Sequence, residues 1–298
     1  MKFLRRNEES KRSINSNTFL LFITIGLFAA MYIAGMIIFE DKGFAKPQMF
    51  LNLFISNAGL LVIAVGQTIV MITGGIDISV GSVTALVCMA VANQMEHHGM
   101  NAYMAVLLAL FIGVAYGVVQ GFLISYLEIQ PFIVSLAGLF FGRGLTSMIS
   151  TEMISIKNKT FLAWANYKIY LPIGSYSRRG KFLPAYIYPT VIIALLIVII
   201  VAVIMKYTKF GREVYAVGGN AQSAMMMGLN VRKTKFKAYL LNGLLAGCGG
   251  FLFCLNSCSG FVEQAKGLEM DAISASVIGG TLLSGGVGTP FGTIFGVL

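Results

Sequence analysis

The sequence has 298 residues, of which 57% are hydrophobic and 11% are charged, and its formal net charge is +10. Soluble domains are about 25% charged because water must wet their surface, so this composition excludes a water-soluble enzyme or nucleic-acid-binding protein. The excess of basic residues therefore needs a membrane explanation, and the sequence predicts an all-α, polytopic protein embedded in a lipid bilayer.

Long apolar segments divide the chain into predicted spans. A bilayer is crossed by about 20 mostly apolar residues. The apolar segments lie at residues 19–39, 48–73, 80–95, 102–127, 132–149, 185–205, 238–257 and 272–298. They predict about eight or more spans in a single transmembrane domain over residues 19–298. The sequence ends at Leu298 inside the last apolar segment, so we expect a further span to be truncated there.

A glycine pair, Gly74-Gly75, separates the second and third apolar segments. As a helix, residues 80–95 would rise only about 24 Å, which is less than the roughly 30 Å of the bilayer core. A short segment next to a glycine break is typical of a discontinuous helix near a transport path. A plain helical hairpin with a glycine turn explains the same pattern, and the sequence leaves both readings open.

The distribution of Lys and Arg predicts the orientation of the chain. The N-terminal tail, residues 1–18, has five basic residues, and the segment 206–237 has seven against one acid. Basic loops favour the cytoplasm, and both segments fall on that side when the spans are counted from a cytoplasmic N-terminus. The same count places the loop 150–184 outside, although its six basic residues conflict with that side.

Asp77 is the strongest candidate for the translocation path. It is the only charged residue in the second and third apolar segments and the turn between them. A charge at membrane depth is costly and therefore indicates function. Gly74 and Gly75 permit a tight turn before it, and Ser79 can begin the next helix. Asp77 either acts on the solute or caps that helix, and these two roles do not exclude each other.

Other polar residues complete the set of candidates for the path. The amides within predicted spans are Asn57, Gln67, Gln120 and Asn242. Such residues hydrogen-bond helices together or face a polar cavity. Arg143 lies toward the end of its span, where its side chain can reach the membrane surface. Asp271 precedes the last apolar segment, where marking the membrane boundary competes with lining the path.

No residue pattern indicates catalysis. The sequence has no GxxxxGK[ST] loop to bind phosphates, no HExxH motif, and no recognisable triad or carboxylate pair. The four cysteines lie in or beside apolar segments and are typical of packing thiols. We therefore expect no catalytic residue, no metal site and no cofactor in this chain.

The segment 206–237 contains a predicted short helix between glycines. The helix begins after Asn220, which can cap it, and ends before Gly228, and it has a methionine-lined face. Such a helix either lies on anionic lipid or docks into a groove of a partner protein.

Three motifs, in order along the chain, resemble permease subunits of sugar ABC importers in the ribose, xylose and galactose branch. They are ITGGIDISVGS at residues 72–82, FGR through GGN to glycine over residues 210–228, and MDAI followed by VIGGTLLSGGVGT over residues 270–289. The residues of these motifs are most similar to those of galactofuranose permeases.

The resemblance implies a translocation subunit of the bacterial inner membrane for a monosaccharide such as galactofuranose, ribose, xylose or galactose. It also implies three protein partners: a second permease subunit, an extracytoplasmic sugar-binding protein, and a cytoplasmic ABC ATPase that hydrolyses ATP. The segment 206–237 would then be the coupling loop, with Ala224 on the face that docks. The implied coupling residues are Gly211, Arg212, Gly218, Gly219, Asn220, Ala224 and Gly228. From the residues alone, a secondary transporter that uses Asp77 for ion coupling is the alternative.

Overall fold

A computed structural model describes residues 16–39, 43–176 and 182–298, and the side chains from residue 21 onward. The predicted tail over residues 1–18 therefore lies largely outside the described residues. The helices are α1 (Ser16–Ile38), α2 (Pro47–Ile72), α3 (Val80–His97), α4 (Ala102–Ser125), α5 (Pro131–Ile149), α6 (Lys159–Asn166), α7 (Pro189–Tyr207), α8 (Lys209–Gly219), α9 (Ala221–Met226), α10 (Val231–Ser257), α11 (Leu268–Ile278) and α12 (Pro290–Val297). The strands are β1 (Ile154–Ser155), β2 (Ile169–Tyr176), β3 (Phe182–Ile187) and β4 (Ser259–Gly260).

The prediction of eight or more spans is not confirmed. Within the described residues, six helices are long and apolar enough to cross a membrane, namely α1, α2, α4, α5, α7 and α10. Polar residues near its C-terminal end make α3 less apolar, and the last predicted span is broken into the short helices α11 and α12 by a glycine-rich turn. The chain is also mostly helical rather than all-α, because β1 pairs with β4 and β2 pairs with β3, both antiparallel.

Prolines and capping side chains determine where several helices begin. Proline fixes φ and needs no hydrogen bond for its missing amide, so the first turn of a helix accepts it. Prolines occupy this position at the starts of α2, α5, α7 and α12. Asn101 caps α4, because its Oδ1 accepts a 2.9 Å hydrogen bond from the amide of Met104.

The loops gather at two ends of the helix bundle. At one end, the amide of Lys157 donates to Glu96 Oε1 at 2.7 Å, and β1 pairs with β4. At the other end, Arg232 forms an ion pair with Glu128. Glu96 lies in the last turn of α3 and Glu128 follows α4, so α3 ends where α4 begins and α4 runs from that end to the other. We name the first the hairpin end, after β2 and β3, and the second the coupling end, after α8 and α9.

Helices α4 and α10 approach each other closely because glycines line their contact. A Cβ on Gly113 would overlap the carbonyl oxygen of Gly243, and a Cβ on Gly117 would lie 2.8 Å from the carbonyl oxygen of Tyr239. Small residues at a membrane-helix interface let the two backbones pack together. This pair forms one wall of the interior, and the second half of α2 is buried against α10.

Candidate functional site

The chain reverses direction after α2 and returns into the bundle. Gly74 has a φ of +81°, in the left-handed region that glycine adopts without strain. Gly75 follows it, and a Cβ at that position would collide with the hydroxyl of Tyr239. These two glycines therefore allow the turn, as the sequence predicts, and also its close approach to α10, which was not predicted from the sequence. We name residues 73–79 the Asp77 turn.

The backbone of Asp77 is held by a side chain of α2. In the orientation of the Gln67 amide that satisfies both groups, its nitrogen donates to the carbonyl oxygen of Asp77 at 3.0 Å. Its oxygen accepts from the amide of Asp77 at 3.2 Å. Gln67 is fully buried. Since Gln67 lies within α2, this pairing shows that the Asp77 turn folds back alongside the helix it has just left.

The carboxylate of Asp77 accepts three hydrogen bonds inside the protein. Its Oδ1 accepts from the amide of Ser79 at 2.9 Å and from Ser79 Oγ at 2.6 Å. Its Oδ2 accepts from Asn242 Nδ2, on α10, at 2.7 Å. Gln120 Nε2, on α4, donates to Ser79 Oγ at 2.7 Å. We name Gln67, Asp77, Ser79, Gln120 and Asn242 the polar cluster.

Asp77 is 4% exposed, and within the described residues no Lys, Arg or His pairs with it. Buried polar groups are normally hydrogen-bonded because losing water without replacement is costly. The three hydrogen bonds hold the carboxylate at the entrance to α3, where Ser79 is the N-cap residue. Asp77 thus bonds the residue that precedes α3 and, among the described residues, makes no cap hydrogen bond to the first turn of α3 itself. Both its capping role and a contact with solute stay predictions.

Three predicted path residues lie outside the polar cluster. Asn57 Nδ2 donates to the carbonyl oxygen of Leu53 in its own helix at 3.0 Å. Asp271 is exposed in the first turn of α11. Arg143 Nη1, on α5, donates to the carbonyl oxygens of Val262 and Gln264 at 2.8 and 2.6 Å. The guanidinium therefore ties α5 to the segment between β4 and α11.

Tyr239 was missed by sequence reasoning. It is 1% exposed, and within the described part of the chain neither its hydroxyl nor Asn242 Oδ1 has a hydrogen-bond partner. Tyr239 and Asn242 are three residues apart on α10, so they share one helix face. That spacing from Asn242 was the available signal.

Helix α9 has the cap that the sequence predicts, and α8 has a cap that was not predicted from the sequence. Asn220 Oδ1 accepts from the amide of Ser223 at 2.8 Å and begins α9. Thr208 Oγ1 accepts from the amide of Gly211 at 3.2 Å and begins α8. Arg212 is exposed, and its Nη1 donates to the carbonyl oxygen of Tyr207. Gly228 follows α9 with a φ of +80°, where glycine again avoids strain.

The prediction that Ala224 faces a partner is wrong. Ala224 has no exposed surface, because α9 packs this face against the chain itself. The residues that follow are exposed instead: Met225 by 62%, Met226 by 85% and Met227 by 69%. We name these three residues the methionine patch.

Helix α8 contacts both glycine-rich turns at the coupling end. A Cβ on Gly218 would overlap the carbonyl oxygen of Ile72, which ends α2. The amide of Gly286, in the turn between α11 and α12, donates to that same oxygen at 2.8 Å. Tyr215 Oη donates to the carbonyl oxygen of Gly288 at 2.8 Å. Burial raises the pKa of Tyr215, so its hydroxyl remains a donor.

By contrast, no atom of the described residues outside the local helix backbone lies within 4 Å of the position that a Cβ on Gly219 would take. The two adjacent glycines of α8 therefore differ: only Gly218 is required by the close approach of other backbone. Among the described residues, no group of three or more His, Cys, Asp or Glu side chains could hold a metal ion.

Comparison with known proteins identifies the family. Residues 49–298 match the family described as "Branched-chain amino acid transport system / permease component". The inner membrane ABC transporter permease protein YjfF of Escherichia coli (strain K12) is 40% identical over 93% of this chain and 80% of its own length. The fructose import permease protein FruG of Bifidobacterium longum (strain NCC 2705) is 33% identical over 91% of this chain and 78% of its own length.

The ribose import permease protein RbsC of Escherichia coli (strain K12) is 33% identical over 91% of this chain and 81% of its own length. No solved structure matches the chain significantly. The match of the family covers the polar cluster, helices α8 and α9 and both glycine-rich turns. The chain therefore belongs to this family of permease components, and it is a multi-pass transport subunit of the inner membrane rather than an enzyme.

Proposed function

We propose that the chain is the permease subunit of an ABC importer and forms part of the path for a monosaccharide. The fructose and ribose import permeases among its relatives support a sugar as the substrate. The resemblance of the three motifs to the ribose, xylose and galactose branch, and within it to galactofuranose permeases, favours a monosaccharide such as galactofuranose, ribose, xylose or galactose. The residues of the polar cluster are the proposed lining of the path, with Gly74 and Gly75 shaping the turn.

We propose the coupling end as the cytoplasmic end, so that residues 206–237 face the ATPase and the loop 150–184 faces outside. The basic residues of 206–237 support this orientation. The count of crossings also supports this orientation. The Asp77 turn and α3 together return the chain from the coupling end to the hairpin end. Six crossings therefore precede α8, namely α1, α2, this segment, α4, α5 and α7, and an even number returns the chain to the side of its N-terminus. A second permease subunit and an extracytoplasmic sugar-binding protein complete the proposed assembly.

The observation that carries the proposal is the contact between α8 and the end of α2. The Asp77 turn begins one residue after Ile72, and the carbonyl oxygen of Ile72 lies against Gly218 of α8. A displacement of α8 therefore moves the start of the Asp77 turn directly, because no side chain lies between the two backbones. This contact connects a surface helix to the buried polar cluster, which is the connection that an ATP-driven permease requires.

The methionine patch is the proposed docking surface for the ATPase. Methionine side chains are flexible and adapt to apolar grooves. Exposed by 62–85%, the patch lies beside the end of α9, at the same end of the bundle as the contact at Gly218. A groove that receives a short helix would bury these side chains, and the favourable free energy of transferring them out of water would stabilise the complex.

Met226→Glu tests this docking surface. The substitution puts a carboxylate where a groove would bury it, at a cost of several kcal/mol by rough estimate if it stays unpaired. We expect the variant to insert normally, to lose at least nine-tenths of the ATPase that co-purifies with the permease, and to lose sugar uptake. Met153→Glu is the matched control, because Met153 is 61% exposed at the opposite end of the bundle.

The outcomes distinguish the functions under comparison. If Met226→Glu keeps the ATPase while neutralising the exposed Lys206 and Lys209 abolishes uptake, α8 and α9 lie on lipid and the docking proposal is wrong. If the chain alone, in proteoliposomes without any ATPase, imports sugar down an ion gradient and Asp77→Asn stops it, the chain is a secondary transporter.

A further inference from the structure

A cavity of about 290 Å³ lies where α4 ends and where α5 and α10 begin. These three helices are candidate membrane spans, so their shared end places the cavity at the surface of the bilayer. The Arg232–Glu128 ion pair that marks the coupling end borders it. The lining residues Ile124, Ile129 and Val231 are apolar, and Ser125, Arg232 and Lys235 are polar.

Two long helices begin at this cavity. Pro131 is at the first position of α5, and Val231 is at the first position of α10. The first turns of a helix carry unpaired amides and a partial positive charge, which together attract anions. Among the described residues, Gln130, before α5, makes no side-chain cap hydrogen bond, whereas Asn230 Oδ1 caps α10 by accepting from the amide of Lys233 at 2.9 Å. The start of α5, which has no such cap, therefore contributes the larger share of positive potential from the backbone.

Lysine and arginine side chains add full charges to this potential. Lys235 is half-buried, and within the residues described here it forms no ion pair. Arg232 donates from Nε and Nη2 to Glu128 Oε1, at 3.2 and 2.7 Å. Both partners of that pair are more than half exposed, and an exposed ion pair contributes little to stability. Arg232 is therefore available to a stronger anion.

Ser125 provides an independent sign of a missing ligand. It is 2% exposed and lines the cavity, and its Oγ has no hydrogen-bond partner among the described residues. A buried hydroxyl without a partner is costly, because it has given up its hydrogen bonds with water. An oxygen atom inside the cavity would accept the proton of this hydroxyl.

We propose that this cavity binds the phosphate of an anionic phospholipid headgroup. Phosphate oxygens would accept from Ser125 Oγ, from Lys235 and from the guanidinium of Arg232, while the acyl chains follow the apolar wall toward the bilayer. Basic pockets between membrane helices are suited to such headgroups. This inference needs only the membrane position of the chain, and it holds whether or not the solute is a sugar.

Ligand titration with the full chain tests the proposal. The protein, in a neutral detergent, is titrated with dihexanoyl-phosphatidylglycerol, dihexanoyl-phosphatidylcholine or inorganic phosphate, and the melting temperature is followed. We expect a saturable increase with phosphatidylglycerol and none with phosphatidylcholine at equal concentration. Lys235→Gln should weaken the binding of phosphatidylglycerol about five-fold, by loss of one charge near the lipid surface. Ser125→Ala should weaken it in the same direction.

Two further variants make the test specific. Lys233→Gln is the matched control, because Lys233 is exposed in the same turn of α10 but does not line the cavity. Glu128→Gln should tighten binding, because it frees Arg232. Equal weakening by Lys233→Gln and Lys235→Gln, or the absence of a preference for phosphatidylglycerol over phosphatidylcholine, would overturn the proposal. An equal increase with inorganic phosphate would support the anion site and overturn the lipid as its occupant.

Discussion

Replacing Asp77 with Ala should destabilise the chain far more than replacing it with Asn. The Ala variant removes the acceptor of three buried hydrogen bonds, two from Ser79 and one from Asn242. A hydrogen bond to a charged group contributes about 1.5–3 kcal/mol, so the loss is about 4–9 kcal/mol. Proteins have only about 5–15 kcal/mol of net stability. We therefore expect little folded Asp77→Ala protein in the membrane.

The Asn variant should fold because the polar cluster holds a spare acceptor. Its Oδ1 retains both hydrogen bonds from Ser79. Its new amide nitrogen faces Asn242 Nδ2, but Asn242 Oδ1 has no partner, so a rotation of the Asn242 amide restores one hydrogen bond. The remaining cost is the weaker acceptor, about 1–2 kcal/mol. We expect normal expression with reduced uptake, because the charge is lost.

The assay combines thermal unfolding of the purified protein with uptake of labelled sugar. The double variant Asp77→Asn with Asn242→Asp is the control, because it exchanges the two partners and keeps one carboxylate–amide pair. Wild-type melting of Asp77→Ala would refute the reasoning, as would equal destabilisation by Ala and Asn. Wild-type uptake by Asp77→Asn would show that the carboxylate has no role in transport.

Three further predictions concern coupling, topology and the hairpin end. Gly218→Ala should separate ATP hydrolysis from uptake, because its Cβ overlaps the carbonyl of Ile72, whereas Gly219→Ala should behave as wild type. On whole cells, after removal of the native cysteines, an impermeant thiol reagent should label Ser175→Cys and not Gly219→Cys. Arg143→Met should lower the melting temperature by removing two hydrogen bonds from a charged group to carbonyl oxygens, about 3–6 kcal/mol of stability, and Arg143→Lys should recover part of it.

Each of these has a contradicting result. Normal coupling of ATP hydrolysis to uptake in Gly218→Ala would show that α8 can shift away from the carbonyl of Ile72 without affecting transport. Labelling of Gly219→Cys but not Ser175→Cys would reverse the proposed orientation. Unchanged melting of Arg143→Met would mean that the segment between β4 and α11 is held by its other contacts.

The sequence predicted those features that depend on residues close to one another along the chain. Hydropathy located the long helices, and Asn220 was recognised as a cap because the cap and its helix are adjacent. The turn at Gly74 and Gly75 was predicted for the same reason. The approach of Asn242 to Asp77 spans 165 residues and depends on how α10 packs, which no local pattern specifies.

The errors also have physical causes. The last apolar segment was read as one span because hydropathy does not register backbone conformation, and Gly285 and Gly286 both adopt a positive φ there. Ala224 was assigned to the exposed face of α9 because a six-residue helix is too short for its periodicity to define a buried side. Only the packing of the surrounding helices decides which residue turns inward.

The glycine contact between α4 and α10 limits which parts of the permease can move. Because the backbones of α4 and α10 meet closely at Gly113 and Gly243, we expect the two helices to move as one unit. Gln120 on α4 donates to Ser79, and Asn242 on α10 donates to Asp77. The far end of the Asp77 turn is therefore attached to this pair of helices. A displacement of Ile72 by α8 would then change the shape of the Asp77 turn rather than move the turn as a unit. The polar cluster would change shape while α4 and α10 stay in place.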